Sequence, residues 1–156
     1  MDKKTIDYSK TVMSQVMMPN NANSEGNVHG GEIIKIMDNA AYVVARKHSR
    51  RNVVTARVDE LQFHLPVYVG NLITCKAKLV FTGKSSMEVS VKVEVEDLES
   101  NETPKTALTA FFTMVALDDR GKPAAVPELL LKNSREKKAY KEGKKRYIRY
   151  KEENTS

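Results

Sequence analysis

The chain has 156 residues, 40% hydrophobic and 29% charged, which is long enough to bury the core of one domain and unlike a disordered or membrane-bound composition. No run approaches the roughly 18 apolar residues of a membrane span, and the N-terminus "MDKKTIDYSK" lacks the apolar stretch of a signal peptide, so a cytoplasmic protein without membrane association is expected. The net charge of +6 suggests a nucleic-acid partner, but ten of the 26 basic and five of the 20 acidic side chains lie from Glu128 onward, leaving +1 for the rest; a nearly neutral body with no aromatic stacking platform argues against one.

In chain order, a short strand is predicted around Val12 to Met18, followed by a loop rich in amide and small residues, "PNNANSEGNVHGG". A long helix then starts at the His29-Gly30-Gly31 turn and runs to about His48. Its apolar residues, from Ile33 and Ile34 to Val44 and Ala45, leave a narrow polar stripe of Glu32, Lys35, Asn39, Tyr42 and Arg46, so most of its circumference should be buried. A helix wrapped by a sheet has this pattern.

Residues 53 to 117 read as strands, because apolar and polar side chains alternate with a period of two. In "VVTARVDELQFHLP" the apolar parity runs through Val54, Ala56 and Val58 and slips to Leu61, Phe63 and Leu65, which predicts a bulge near Asp59 and Glu60. "LITCKAKLVF" and "MEVSVKVEVED" form a long hairpin across the "TGKS" turn. "TALTAFFTMVAL" is apolar on both parities, as expected of a strand covered on both faces near the sheet centre. "DDRGKPAAVPELL" closes this unit, giving a domain over 1–127 and a basic tail over 128–156, helical from about Glu128 to Tyr140 and frayed after Gly143. One helix segregated against one antiparallel sheet of about five strands is an α+β architecture.

Cys75 sits in an alternating strand and is expected to be a packed core thiol; no Cys/His cluster has zinc-ligand spacing, so neither a disulfide nor a metal is expected. No Gly-x-Ser-x-Gly elbow occurs, which excludes an α/β-hydrolase. His48 and His64 have no sequence partners suggestive of a triad.

Ala22-Asn23 followed by "GNVHGGEIIKIMD", then "VDELQFHLPVYVGNLI", "TGKSSMEVSV" and "TALTAFFTMVALDDRGKPAAVP", resembles the hotdog-fold acyl-CoA thioesterases, in the bacterial branch related to the cytosolic and brain acyl-CoA hydrolases. The resemblance covers roughly residues 8 to 127 in the family's order. It implies a sheet curled around one helix, a dimer with a continuous sheet and interface active sites, and in this branch a trimer of dimers. It also implies an acyl-CoA substrate, hydrolysed to fatty acid and CoA without a cofactor.

The chemistry fits the quoted motif. Unpaired N–H groups at a helix N-terminus cradle a developing oxyanion, and glycines allow close approach, so the N–H of Gly31, with help from Gly30, is assigned to the thioester carbonyl. Asp38 lies two turns into the helix, on the edge of the polar stripe; the resemblance makes it general base or nucleophile. Asn23 matches the family's second catalytic position, contributed across the interface, where an amide orients water or thioester. His29 fits a substrate contact or a cap at the helix start. Arg57, Lys84, Ser85 and Ser86 are candidates for the phosphates of CoA, and the tail cations Arg135, Lys137 and Lys138 could add to them. Two other readings stay open: a hotdog hydratase or dehydratase using His29 and Asp38, and a non-catalytic acyl-CoA or nucleotide sensor in which Asp38 is dispensable.

Overall fold

A computed structural model describes residues 1–155. Two short N-terminal elements, β1 (Lys4–Thr5) and α1 (Ile6–Ser9), precede the strand β2 (Thr11–Val16). The long helix α2 spans Gly30–Ser49, and the strands β3 (Asn52–Phe63), β4 (Leu72–Thr82), β5 (Ser86–Glu96) and β6 (Lys105–Leu117) follow. β2 to β6 form one antiparallel sheet in the order β2-β4-β5-β6-β3. The chain therefore leaves one edge at β2, crosses the inner face as α2, and enters the other edge as β3. This is the predicted α+β arrangement, with α2 packed against every strand of the sheet.

The period-two pattern builds the core. Ile73, Cys75, Ala77 and Leu79 of β4 and Met87, Val89, Val91 and Val93 of β5 are fully buried, as are Phe112, Met114 and Ala116 of β6. Against them α2 places Ile33, Met37, Ala40, Ala41, Val44 and Ala45. Small alanines let helix and sheet approach closely, and dense packing of this kind is what holds a core in one arrangement. Burial pushes the Cys75 thiol up to about 12, so it packs as an apolar group. Only one side of α2 is covered within the chain: Ile34, Ile36 and Val43 remain half-buried.

β6 lies beside the middle strand β5, near the sheet centre as expected; its outward residues such as Phe111 are partly covered too, that ring lying 3.7 Å from the Arg146 guanidinium. The structure corrects two expectations for the tail. Residues from Glu128 do not begin a helix: Leu129–Leu130 form β7, parallel to β1, with the Lys4 N–H bonded to the Glu128 carbonyl. Nor does the tail fray at Gly143. A helix α3 runs over Ser134–Thr155, started by Asn133, whose side chain accepts from the Glu136 N–H at 2.9 Å.

Gly143 is the reason α3 can lie on the sheet. A Cβ there would stand 2.8 Å from Phe81 Cβ and 3.1 Å from Glu88 Oε1, so hydrogen is the only side chain that fits. Tyr140 and Tyr147 flank the Phe81 ring at centroid distances of 5.0 and 5.2 Å. Arg146 grips Glu88 at 2.7 and 3.0 Å. Glu88 belongs to the polar parity of β5, yet α3 buries it to 3% exposure. Burial raises its carboxyl above the usual range against the opposing pull of Arg146.

Candidate active site

His29 occupies the N-cap position of α2, and its carbonyl accepts from the N–H groups of Glu32 and Ile33 at 3.0 and 3.4 Å. Its side chain makes no capping bond and is exposed, so the backbone alone does the capping. The preceding loop pins this end: the His29 N–H donates to the Asn21 carbonyl and Val28 N–H to the Val67 carbonyl. Among the described residues, the N–H groups of Gly30 and Gly31 have no acceptor.

The two glycines serve different ends. A Cβ on Gly30 would stand 2.8 Å from Phe63 Cε1, so Gly30 is required by packing under that ring. A Cβ on Gly31 would meet nothing within 4 Å. Gly31 is exposed, and its N–H, without an acceptor among the described residues, lies at the positive end of a 20-residue helix.

Asp38 lies seven residues further along α2 and is half-buried. Its Oδ1 accepts a hydrogen bond of 2.6 Å from the Thr55 hydroxyl, which also lies 3.5 Å from Met114 Sδ. Thr55 was not legible as a site residue, because the alternation of Val54, Ala56 and Val58 assigns it to the outer face. β3 in fact carries two irregularities. One lies between Asp59 and Gln62, where Glu60 takes φ 51, at the place the parity slip predicts. The other lies between Thr55 and Arg57, where Ala56 is the extra residue. Val53 and Thr55 oppose Ala116 and Met114, so they face α2 before the bulge, and Val58 opposes Phe112 after it.

Asn23 organises its own loop. Its Oδ1 accepts from the N–H groups of Glu25 and Asn27 at 2.9 and 3.1 Å, an Asx-type turn closed by Gly26 at φ 84. The carbonyl half of the amide is thereby used, and the NH₂ half is the group left to act outward. Asn23 is exposed and makes no hydrogen bond with Asp38 in its own chain. Asn21, by contrast, spends its side chain on the Met18 N–H and on Glu32.

The phosphate candidates are dispersed. Arg57 opposes Thr113 on the outer face, where it pairs with Asp59 at 2.7 Å and Glu153 at 3.5 Å and stacks 3.6 Å from the Tyr150 ring centroid. Lys84 and Ser85 lie in the β4–β5 turn and Ser86 opens β5; the carbonyls of Lys84 and Ser85 accept from Val126 and Ala116, and the Lys84 side chain is exposed. His48 is buried, bonded through Nε2 to the Pro127 carbonyl at 2.7 Å, and His64 bonds Thr109. Among the described residues no group of His, Cys, Asp and Glu is arranged to hold a metal ion, and no helix is long and apolar enough to cross a membrane.

A fold of one helix against a five-stranded antiparallel sheet, with an open helix N-terminus and a threonine-held aspartate, is that of a hotdog protein. The "Thioesterase superfamily" profile matches residues 25–101. The chain is 36% identical over 122 residues to an acyl-CoA thioester hydrolase of Bacillus subtilis, covering 78% of this chain and 70% of the relative. It is 38% identical over 151 residues to the cytosolic acyl coenzyme A thioester hydrolase of Rattus norvegicus; this covers 96% of the chain but only 40% of that longer protein. Among solved structures, an acyl-CoA hydrolase from Staphylococcus aureus in complex with butyryl coenzyme A and coenzyme A superposes with a TM-score of 0.89 at 31% identity, covering 98% and 93% of the two chains. A hexameric acyl-CoA thioesterase superposes with a TM-score of 0.91 at 29% identity, covering 99% and 98%. The chain belongs to the thioesterase superfamily.

Proposed function

We propose that the protein is an acyl-CoA thioesterase, cleaving the thioester to a free fatty acid and CoA with no cofactor. The observation that carries this reading is the 2.6 Å bond from Thr55 to Asp38. It fixes a half-buried carboxylate on a helix whose N-terminus is open to a carbonyl. Solved variants of the Staphylococcus aureus hydrolase replace one aspartate, one threonine and one asparagine by alanine, the residue types found here at Asp38, Thr55 and Asn23.

In this reading the Gly31 N–H, with Gly30 beside it, polarises the thioester carbonyl and receives the oxyanion. Asp38 either takes a proton from the attacking water or attacks the carbonyl carbon itself. The C–S bond then breaks and CoA leaves as its thiolate; on the nucleophilic route the acyl group remains on Asp38 as an anhydride, which a water hydrolyses to the fatty acid and the free carboxylate. Thr55 holds the carboxylate by one oxygen, which leaves the other free. The Asn23 NH₂ orients the thioester or the water. His29 lies at the mouth, and Lys84 with the Ser85-Ser86 turn remains a candidate contact for CoA phosphate. Arg57 is engaged by Asp59, Glu153 and Tyr150, so it is assigned to holding α3.

Helix geometry favours a site shared between two chains. Seven residues separate Gly31 from Asp38, about 10 Å along the axis at 1.5 Å per residue. A carboxylate attacking directly a carbonyl held at the Gly31 N–H of its own chain would have to span most of that distance. The Gly31 and Asn23 end of one subunit therefore meets Asp38 and Thr55 of another. β3 supports this pairing, since it is a 12-residue edge strand carrying exposed Val54, Val58 and Phe63, a surface suited to extending the sheet across a dimer. Assembly into a hexamer follows the hexameric relatives, and a cytoplasmic location follows those called cytosolic.

The test is complementation between inactive chains. Asn23→Ala and Asp38→Ala proteins are each expected to be inactive on acyl-CoA, and their co-expression should restore up to about a quarter of the activity, because one site of each mixed dimer is intact. No recovery in a mixed dimer would place both residues in one chain's site.

A further inference from the structure

On the outer face of the sheet, opposite α2, β4 presents Lys76 and Lys78 and β5 presents Ser90 and Lys92. The register sets Lys76 directly across from Lys92 and Lys78 across from Ser90. Thr11 of β2 pairs with Ala77, so Lys10, one residue earlier, arrives alongside Lys78. Like charges directly opposed across strands destabilise a sheet, and here two lysine pairs stand side by side. All four lysines, with Ala77 and Ser90, line one cleft of about 370 Å³.

The charge in this cleft is not balanced from within. None of its lining residues is acidic. Glu94, one step along the same face, binds Lys76 and stands 4.0 Å from Lys92; Lys76 holds its carboxyl below the usual range. Lys10 and Lys78 have no ion-pair partner among the described residues. Four ammonium groups thus share one carboxylate, and a concave surface of one sign concentrates its field on a counter-ion.

We propose that this cleft binds a polyphosphate group. The volume suits a small molecule. The two lysine rows lie two residues apart along the strands, about 7 Å, a separation that consecutive phosphates span and a monovalent anion does not. Ser90 adds a hydroxyl donor to phosphate oxygen. No aromatic ring lines the cleft, so recognition is of the phosphates rather than of a base. The site is on the opposite face of the sheet from Thr55 and toward the opposite edge from β3, and it does not rest on the thioesterase reading.

The test is calorimetric titration of the full chain with inorganic pyrophosphate at fixed ionic strength. Saturable binding at one site per chain is expected, weakened at least about tenfold in Lys78→Gln/Lys92→Gln and unchanged in Lys144→Gln/Lys145→Gln, which removes the same charge from the exposed side of α3. In low salt without pyrophosphate, Lys92→Gln should raise Tm by releasing Lys76 from repulsion. With pyrophosphate, the unsubstituted protein should gain more in Tm than Lys92→Gln does. A parallel titration with CoA separates the sources: an equal loss for CoA assigns the site to the phosphates of CoA, and an unchanged CoA affinity assigns it to a free polyphosphate. Equal weakening in both double variants, or no saturable pyrophosphate binding, overturns the proposal.

Discussion

Thr55→Val removes one hydroxyl and little else, since valine has nearly the same shape and favours strands equally. The bond lost is the 2.6 Å contact to Asp38 Oδ1, a hydrogen bond to a carboxylate, worth about 1.5–3 kcal/mol. Asp38 is only half-buried, so water can replace the hydroxyl and the folded state should lose little stability. What is lost is the fixed direction of the carboxylate. If that orientation is needed in the transition state, the same energy at about 1.4 kcal/mol per decade lowers kcat about 10- to 100-fold. KM should change little, because the hydroxyl is already engaged by Asp38 and the valine keeps the side chain's shape. The assay is steady-state release of CoA from acyl-CoA, followed with a thiol-reactive dye, beside a thermal melt. Thr55→Ser, which keeps the hydroxyl, should retain most of the activity. An unchanged kcat in Thr55→Val, with Asp38→Ala inactive, would refute the reasoning.

Gly143→Ala should destabilise the protein by about 1–3 kcal/mol from overpacking, despite the roughly 1 kcal/mol that alanine gains over glycine inside a helix, because its Cβ meets Phe81 and Glu88; chemical denaturation reads the sign. Arg146→Ala should cost about 3 kcal/mol or more by leaving Glu88 buried without its partner, and Glu88→Gln in the same background should recover much of it. His48 gives a pH dependence. Burial lowers its pKa below the usual value, and its Nδ1 is buried without a partner. Its neutral form therefore stabilises the fold fully above the unfolded pKa of about 6.5, and this contribution is lost as pH falls below that value; Tm should drop between about pH 7 and 5, with a shallower slope in His48→Gln.

The core strands were legible because they are amphipathic: in β4 and β5 one parity alone is continuously apolar, which fixes both the strand and its inward face. The Gly30-Gly31 start of α2 was legible as a breaker ahead of an apolar helix. Thr55 was hidden by the bulge at Ala56, since a single extra residue inverts the parity of everything on one side of it. The tail misled because its many lysines look solvated; Gly143 reads as a breaker in a free helix, and only the contact with Phe81 and Glu88 makes it the place where the helix is held. Asn133-Ser134-Arg135-Glu136 was the local signal for where α3 begins, an asparagine cap followed three residues later by glutamate. No local pattern joins Asn23 to Asp38, which in the proposed site meet only across two chains.

The most direct test of the central claim is hydrolysis of a panel of acyl-CoAs, short to long, by the purified protein and by Asp38→Ala. Turnover on at least part of the panel, abolished in the variant while CoA binding persists, is the result expected. Turnover that survives the loss of Asp38, or CoA binding without turnover on any member, would contradict it.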